Sequence, residues 1–364
     1  MKKNKIYVIA RNFTDANGEP KIGGVETYIQ TLAEGLSCSF DFIIVQNSDE
    51  KAEMRFPYFS VLCSGHQSID KVHDVVLELV NEGELILFST EQWACFPQHE
   101  PSMVIQHGIY WDLPNEYVTR RWLAKMLPFP YKLFQSLTNL RKIKGFKKVI
   151  CVDYIYPAWY STLKNGNNYK KIDVIPNFSN FEVTTENPGF KYKNKIKVLF
   201  ARRFVNIRGV DIAIELYNYF KEHDTEVIID FVGDGPEKEK IEASGAVTRK
   251  VQVKDMCDVI DDSDIVIVPS LGSEGTSLIA IEAMARGKYV IASNVGGLTN
   301  IIIHGYNAAL VKPCVNEFIA HIQYLKDNES VYKRVCDNAK QVVNSSLNKD
   351  VWIERWKGVL SEYV

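Results

Sequence analysis

The chain has no C-x2-C pair, and its seven cysteines, Cys38, Cys63, Cys95, Cys151, Cys257, Cys314 and Cys336, are odd in number and widely scattered. That pattern argues against a disulfide framework or a cysteine-built zinc site and suits reduced thiols. An apolar run of about 18 residues is missing, as is a signal-peptide pattern, so the expectation is a cytoplasmic chain with no membrane span. Charge of one sign is also missing. The 43 Lys and Arg stand against 45 Asp and Glu, a net charge of -2, which excludes a generally nucleic-acid-binding surface. Neither an internal repeat nor a low-complexity tract interrupts the 364 residues.

What is present is alternation. Short β-branched runs at Ile6–Ala10, Phe42–Gln46, Leu85–Phe88, Met103–Gln106 and Val149–Val152 are separated by helical patterns. A second series follows at Lys197–Ala201, Val227–Val232, Val251–Val253, Ile265–Val268 and Tyr289–Ala292. This is the signature of parallel sheets crossed by helices. The length suits two domains of about 150 to 200 residues. Val183–Lys195, polar and aperiodic around Asn187, Pro188 and Gly189, reads as the linker.

The richest stretch is PSLGSEGTSLIAIEAMARG, Pro269 to Gly287. Thr276 and Ser277 suit a helix cap, and the following residues read as a helix with Leu278, Ile281, Glu282 and Ala285 on one apolar face. A carboxylate on such a face is costly unless hydrogen-bonded. A hydroxyl-rich ligand such as a nucleotide sugar explains it, and so does a glutamate that simply reaches solvent.

In open parallel sheets ligands lodge beyond the carboxyl ends of the strands, so the loops leaving the strands carry the remaining signals. The first strand leads to Gly23 and Gly24, where a phosphate could meet backbone amides at a helix start, or where the chain merely turns. Arg202, Arg203 and Arg208 follow Lys197–Ala201 and read either as an anion grip or as surface charge. Gly233 and Gly235 punctuate FVGDGP, and His107 follows Met103–Gln106.

Together, GSEGTSLIAIEAMARG and the succeeding YVIASNVGGLTNIIIHGYNAALV resemble the donor-binding segment of retaining family-4 glycosyltransferases (glycosyltransferase group 1), with its E-x7-E motif. The resemblance implies an α/β GT-B fold: two facing Rossmann-like domains with parallel sheets and a cleft between them. Residues 1–190 would form the acceptor-side domain, 191–346 the nucleotide-sugar domain, and 347–364 a helix crossing back to the first. It further implies that Glu274 contacts the transferred sugar and that Glu282 holds the ribose. Arg203 and Arg208 would match the R-x4-K pair on the diphosphate, with arginine replacing lysine. Gly23 and Gly24 would lie near the phosphates, Gly233 near the nucleotide, and His107 at the sugar. Thr276, Ser277 and Leu278 complete the donor-binding set, the first two replacing the aromatic residue and glycine of many relatives. VIPN, Val174 to Asn177, resembles the turn closing the first domain, with Phe178 where the family has glycine.

The implied activity is retaining transfer of a sugar from a UDP- or GDP-linked donor to a glycan or lipid-linked glycan, in cell-surface polysaccharide or lipopolysaccharide synthesis, without metal or cofactor. No D-x-D pair follows a strand; Asp262 and Asp264 have the spacing but precede one. The alternatives are a nucleotide-sugar-binding protein without transfer, or a Rossmann-type oxidoreductase or epimerase. The latter lacks a G-x-G-x-x-G loop after its first strand.

From Asn115 to Lys148, nine Lys and Arg face a single acid, Glu116, with Trp122, Phe129, Leu133 and Phe134 interleaved. This mixture suits docking on the cytoplasmic face of an anionic membrane, or else a core stripe with a solvated basic face. Pro128 and Pro130 are expected to break any long helix there.

Overall fold

A computed structural model describes residues 3–21, 23–114, 126–163, 171–190, 195–252 and 255–363. Most of the β-branched runs become strands buried on both faces, as near-continuous apolar patterns require of parallel sheets covered by helices. The chain divides into two compact units: Met1–His107 with Pro130–Ile175 and Trp352–Val364, and Gly108–Phe129 with Pro176–Val351.

The first unit is built on β1 (Asn4–Ala10), β2 (Phe40–Gln46), β3 (Lys51–Arg55), β4 (Phe59–Ser64), β5 (Leu85–Phe88), β6 (Ser102–Gln106), β7 (Lys148–Cys151) and β8 (Ile172–Val174). Their order is β3-β4-β2-β1-β5-β6-β7-β8. Among the described strands of this sheet only β3 pairs antiparallel, with β4. It was hidden from sequence patterning because KAEMR is an exposed, polar edge strand. The helix Lys349–Leu360 joins this unit through buried Trp352 and Trp356, and the Trp356 indole donates to the Tyr28 hydroxyl at 2.9 Å.

The second unit orders β9 (Ile196–Ala201), β10 (Val227–Val232), β11 (Thr248–Arg249), β12 (Ile265–Val268), β13 (Tyr289–Ser293) and β14 (Ala309–Val311) as β11-β10-β9-β12-β13-β14. Period-two alternation divides its core. Val198 and Phe200 face one apolar layer with Leu216, Phe220, Phe318 and Ile322, whereas Leu199 and Ala201 face another with Ile281, Met284 and Val343.

Two readings need correction. The strand expected at Val251–Val253 lies at Thr248–Arg249, which pair with Phe231 and Val232; Val251 packs half-buried against the second apolar layer, and Val253 lies outside the described residues. Pro128 and Pro130 accompany a helix break, as expected: Met126 is helical, Leu127 is a bend and a new helix starts at Pro128. They sit in the first turn of Pro128–Ile143, where a missing N–H costs nothing. The chain changes unit after Ile175, upstream of Val183–Lys195, because Phe178 is fully buried and Phe181 and Val183 pack on the second core.

Candidate functional site

In the second sheet β9 lies between β10 and β12, so the connections leaving β9 and β12 part at a topological switch point. Arg202–Arg208 leave the one strand and Pro269–Ser277 the other. Their side chains meet. Arg202 Nη2 donates to both oxygens of Glu274, at 2.9 and 2.8 Å, while Arg202 Nη1 donates to Ser270 Oγ at 2.6 Å. Ser270 Oγ in turn donates to Glu274 Oε2 at 2.6 Å, and Arg208 Nη1 also reaches that oxygen. The side chains of Arg202 and Glu274 are only 7% and 6% exposed, but Arg208 is 28% exposed. Burial alone would raise the Glu274 carboxyl; Arg202 and Arg208, with the hydrogen bonds from Ser270 and Arg202, overcome it and hold the group at about 2.

Glycine makes the approach feasible at two places. A Cβ on Gly233 (φ +151°) would lie 2.0 Å from the Arg202 carbonyl, and one on Gly296 (φ +50°) 2.1 Å from that of Glu274. Each ion-pair partner is therefore backed by a position that no side chain can occupy.

Glu282 lies in the helix Leu278–Ala285, whose Ile281 and Ala285 are buried as the periodicity expects. The residue keeps some accessible surface, but its carboxyl is enclosed by protein. Burial pushes it up to about 7, and a hydrogen bond with Asn180 only partly offsets this. The helix cap differs from expectation. Ser277 occupies the cap position without a side-chain cap bond, and Thr276 Oγ1 instead accepts the Asn177 N–H at 2.9 Å. Asn177 Nδ2 also donates to the Thr276 carbonyl at 2.5 Å, so the VIPN turn pins the strap ahead of Glu282. Leu278 is half-buried at the start of that helix.

The expected diphosphate pair separates. Arg208 joins Glu274, whereas Arg203 points outward and is exposed. Arg202, which the resemblance left outside the diphosphate pair, takes the inner place. Side chains alternate along an extended segment, so an Arg-Arg doublet sends only one of its members inward. The sequence offers no means of choosing which.

Gly23, Gly24 and His107 belong to the first unit. Gly23 is the N-cap of the helix Gly24–Leu36, and Glu26 folds back so that its carboxylate lies where a Gly23 Cβ would be. His107 Nε2 bonds the Ser89 carbonyl at 2.8 Å and must therefore carry the proton, and burial lowers the ring to about 4, leaving a neutral imidazole. Beneath it, Glu91 is buried and pushed up to about 8, chiefly by desolvation, and it accepts a backbone N–H from His107. Glu91 carried no signal in the sequence, since a single glutamate after a strand is unremarkable. No cluster of three or more metal-ligating side chains occurs among the described residues.

Residues 184–342 match the family described as glycosyl transferases group 1. Over that span the chain is similar to this family. The matched span contains Arg202, Arg208, Glu274 and Glu282 together. A glycosyltransferase of Methanocaldococcus jannaschii is 30% identical over 183 residues, covering 48% of this chain and 45% of that protein. TuaC of Bacillus subtilis, named as a teichuronic acid biosynthesis glycosyltransferase, is 30% identical over 152 residues, covering 41% and 38%. The chain thus spans about half the length, or less, of these two relatives. Anabaena HepE, solved in complex with UDP-glucose, superposes with a TM-score of 0.71 at 16% identity, covering 99% of this chain and 100% of that one. At that identity the likeness is one of fold, and the fold is GT-B.

Proposed function

We propose that this chain is a retaining glycosyltransferase that moves a sugar from a UDP- or GDP-linked donor to a glycan or lipid-linked glycan, in cell-surface polysaccharide or lipopolysaccharide synthesis. The observation that carries the reading is the buried Arg202–Glu274–Arg208 cluster at the switch point of the second sheet, followed eight residues later by the enclosed carboxyl of Glu282. The match to the group 1 family, and relatives named for glycosyl transfer and for teichuronic acid biosynthesis, support it. In the reaction the bond from the anomeric carbon to the diphosphate oxygen breaks, and its electron pair leaves with the nucleotide. The acceptor oxygen bonds to the same face of the sugar and releases its proton. Arg208 neutralises the departing charge. Glu274 and Glu282 offer acceptor oxygens to sugar and ribose hydroxyls, and neutral His107 offers a ring nitrogen to the sugar. Residues of this chain suffice for these roles, so no metal is invoked.

A thermal-shift screen against UDP- and GDP-linked sugars, followed by product analysis with glycan acceptors, tests this directly. One donor should raise the melting temperature, and Glu282→Ala should weaken its binding by about tenfold or more, or at least 1.4 kcal/mol. No stabilisation by any nucleotide sugar would discard the assignment.

The reading extends to a docking surface. In the helix Pro128–Ile143, Phe129 (74% exposed), Leu133, Phe134 (65%) and Leu137 project outward, beside Lys132, Arg141 and Lys142 and with no acid in the helix. Residues 115–125 of the basic segment lie outside the described residues. The exposed aromatics oppose a purely core role, and the charge complements an anionic lipid surface, which we take as the occupant. Wild-type protein should co-sediment with phosphatidylglycerol vesicles and not with phosphatidylcholine vesicles, and Phe129→Asp/Phe134→Asp should abolish that binding. Equal sedimentation of wild type with both lipids, or binding that survives the double substitution, would remove the membrane from the proposal.

A further inference from the structure

Two guanidinium groups meet one carboxylate in the second unit, so the cluster carries one surplus positive charge. The two arginines are not equivalent. Arg202 is enclosed, forks onto both Glu274 oxygens and is tied to Ser270 as well. Arg208 is four times as exposed (28% against 7%) and touches Glu274 through one nitrogen, which also lies 3.3 Å from the Ser273 carbonyl. A buried carboxylate must be neutralised by something, and its electrostatic demand falls on whichever cation is near. Arg202 meets that demand from a fixed position. Arg208 is thereby left as the exchangeable charge.

We infer that Arg202 is a positioning residue whose task is to neutralise Glu274 and fix its plane, so that Arg208 is released to bind the anionic end of a diphosphate-bearing ligand. The inference deepens the donor-site reading and shares with it only the chemistry of the anion. Without Arg202, the lone Glu274 carboxylate captures Arg208, and the anion site closes on itself. The cation is lost to the ligand although it remains in the chain.

Inorganic pyrophosphate, titrated calorimetrically into the full chain, reads this without any sugar transfer. Arg202→Gln should weaken pyrophosphate binding about tenfold or more. Glu274→Gln added to that variant removes the competing carboxylate and should restore affinity to within about threefold of wild type, a non-additive cycle that a merely structural role would not produce. Should Arg202→Gln fail to fold, Arg202→Lys and the Arg202→Gln/Glu274→Gln double variant carry the test. Both keep the balance of charge and should bind within about threefold of wild type. Wild-type protein that binds no pyrophosphate, undiminished binding in Arg202→Gln, or a double variant that binds tenfold more weakly than wild type each overturns the inference. A cycle that behaves as described in a protein that transfers no sugar would sink the transferase reading and leave the role of Arg202 standing.

Discussion

At the scale of single residues, the two glutamates of the E-x7-E stretch have opposite electrostatics. Glu274 is held at about 2, below the usual 4.5, so its ion pairs stabilise the fold above about pH 4.5 and that contribution is lost as the pH falls towards 2. Glu282 is raised to about 7, so its ionisation destabilises the fold fully above pH 7 and not at all below about 4.5. Glu282→Gln should therefore stabilise the protein at pH 8 by on the order of 3 kcal/mol, and by far less at pH 4.5. Denaturant titrations at the two pH values check this; an equal effect at both would mean that the carboxyl is not enclosed. Legibility at this scale was uneven. Glu274, Glu282 and Arg208 stood out because charged side chains in an apolar-rich motif are conspicuous. Arg202 did not, because which arginine of a doublet turns inward depends on the twist of β9, and Glu91 did not, because its burial is set by residues distant in sequence.

At the scale of elements, strands buried on both faces were read within a residue or two. Leu85–Phe88 and Ile265–Val268 coincide with the runs seen in the sequence. Short or polar strands escaped: β14 has three residues, and β3 gains its partner only through tertiary pairing with β4. The helix Lys349–Leu360 was legible from Trp352, Trp356, Val359 and Leu360, all buried on one side. What the pattern could not supply was the aromatic cluster these tryptophans form. Tyr28 meets Trp352, Trp356 and His107 edge-on, with ring centroids 4.7, 6.1 and 5.4 Å away. Trp356→Ala empties a fully buried site and removes a hydrogen bond to Tyr28, so it should cost about 3 to 5 kcal/mol of stability. A loss below 1 kcal/mol in denaturant melts would show that the terminal helix is not part of the core.

At the scale of the whole molecule, a net charge of -2 conceals strong local segregation. The helix Pro128–Ile143 holds no acid, whereas the second unit buries Arg202 against the Glu274 carboxylate. The two-body plan followed from alternation and length, and the meeting of Arg202, Arg208 and Glu274 followed from sheet order, which needs the third dimension.

The first unit is also discontinuous in sequence, since Trp352–Val364 rejoins it after Pro176–Val351 has formed most of the second. During synthesis the body made first must therefore wait for its last structural piece, while all six strands of the other emerge in one uninterrupted stretch.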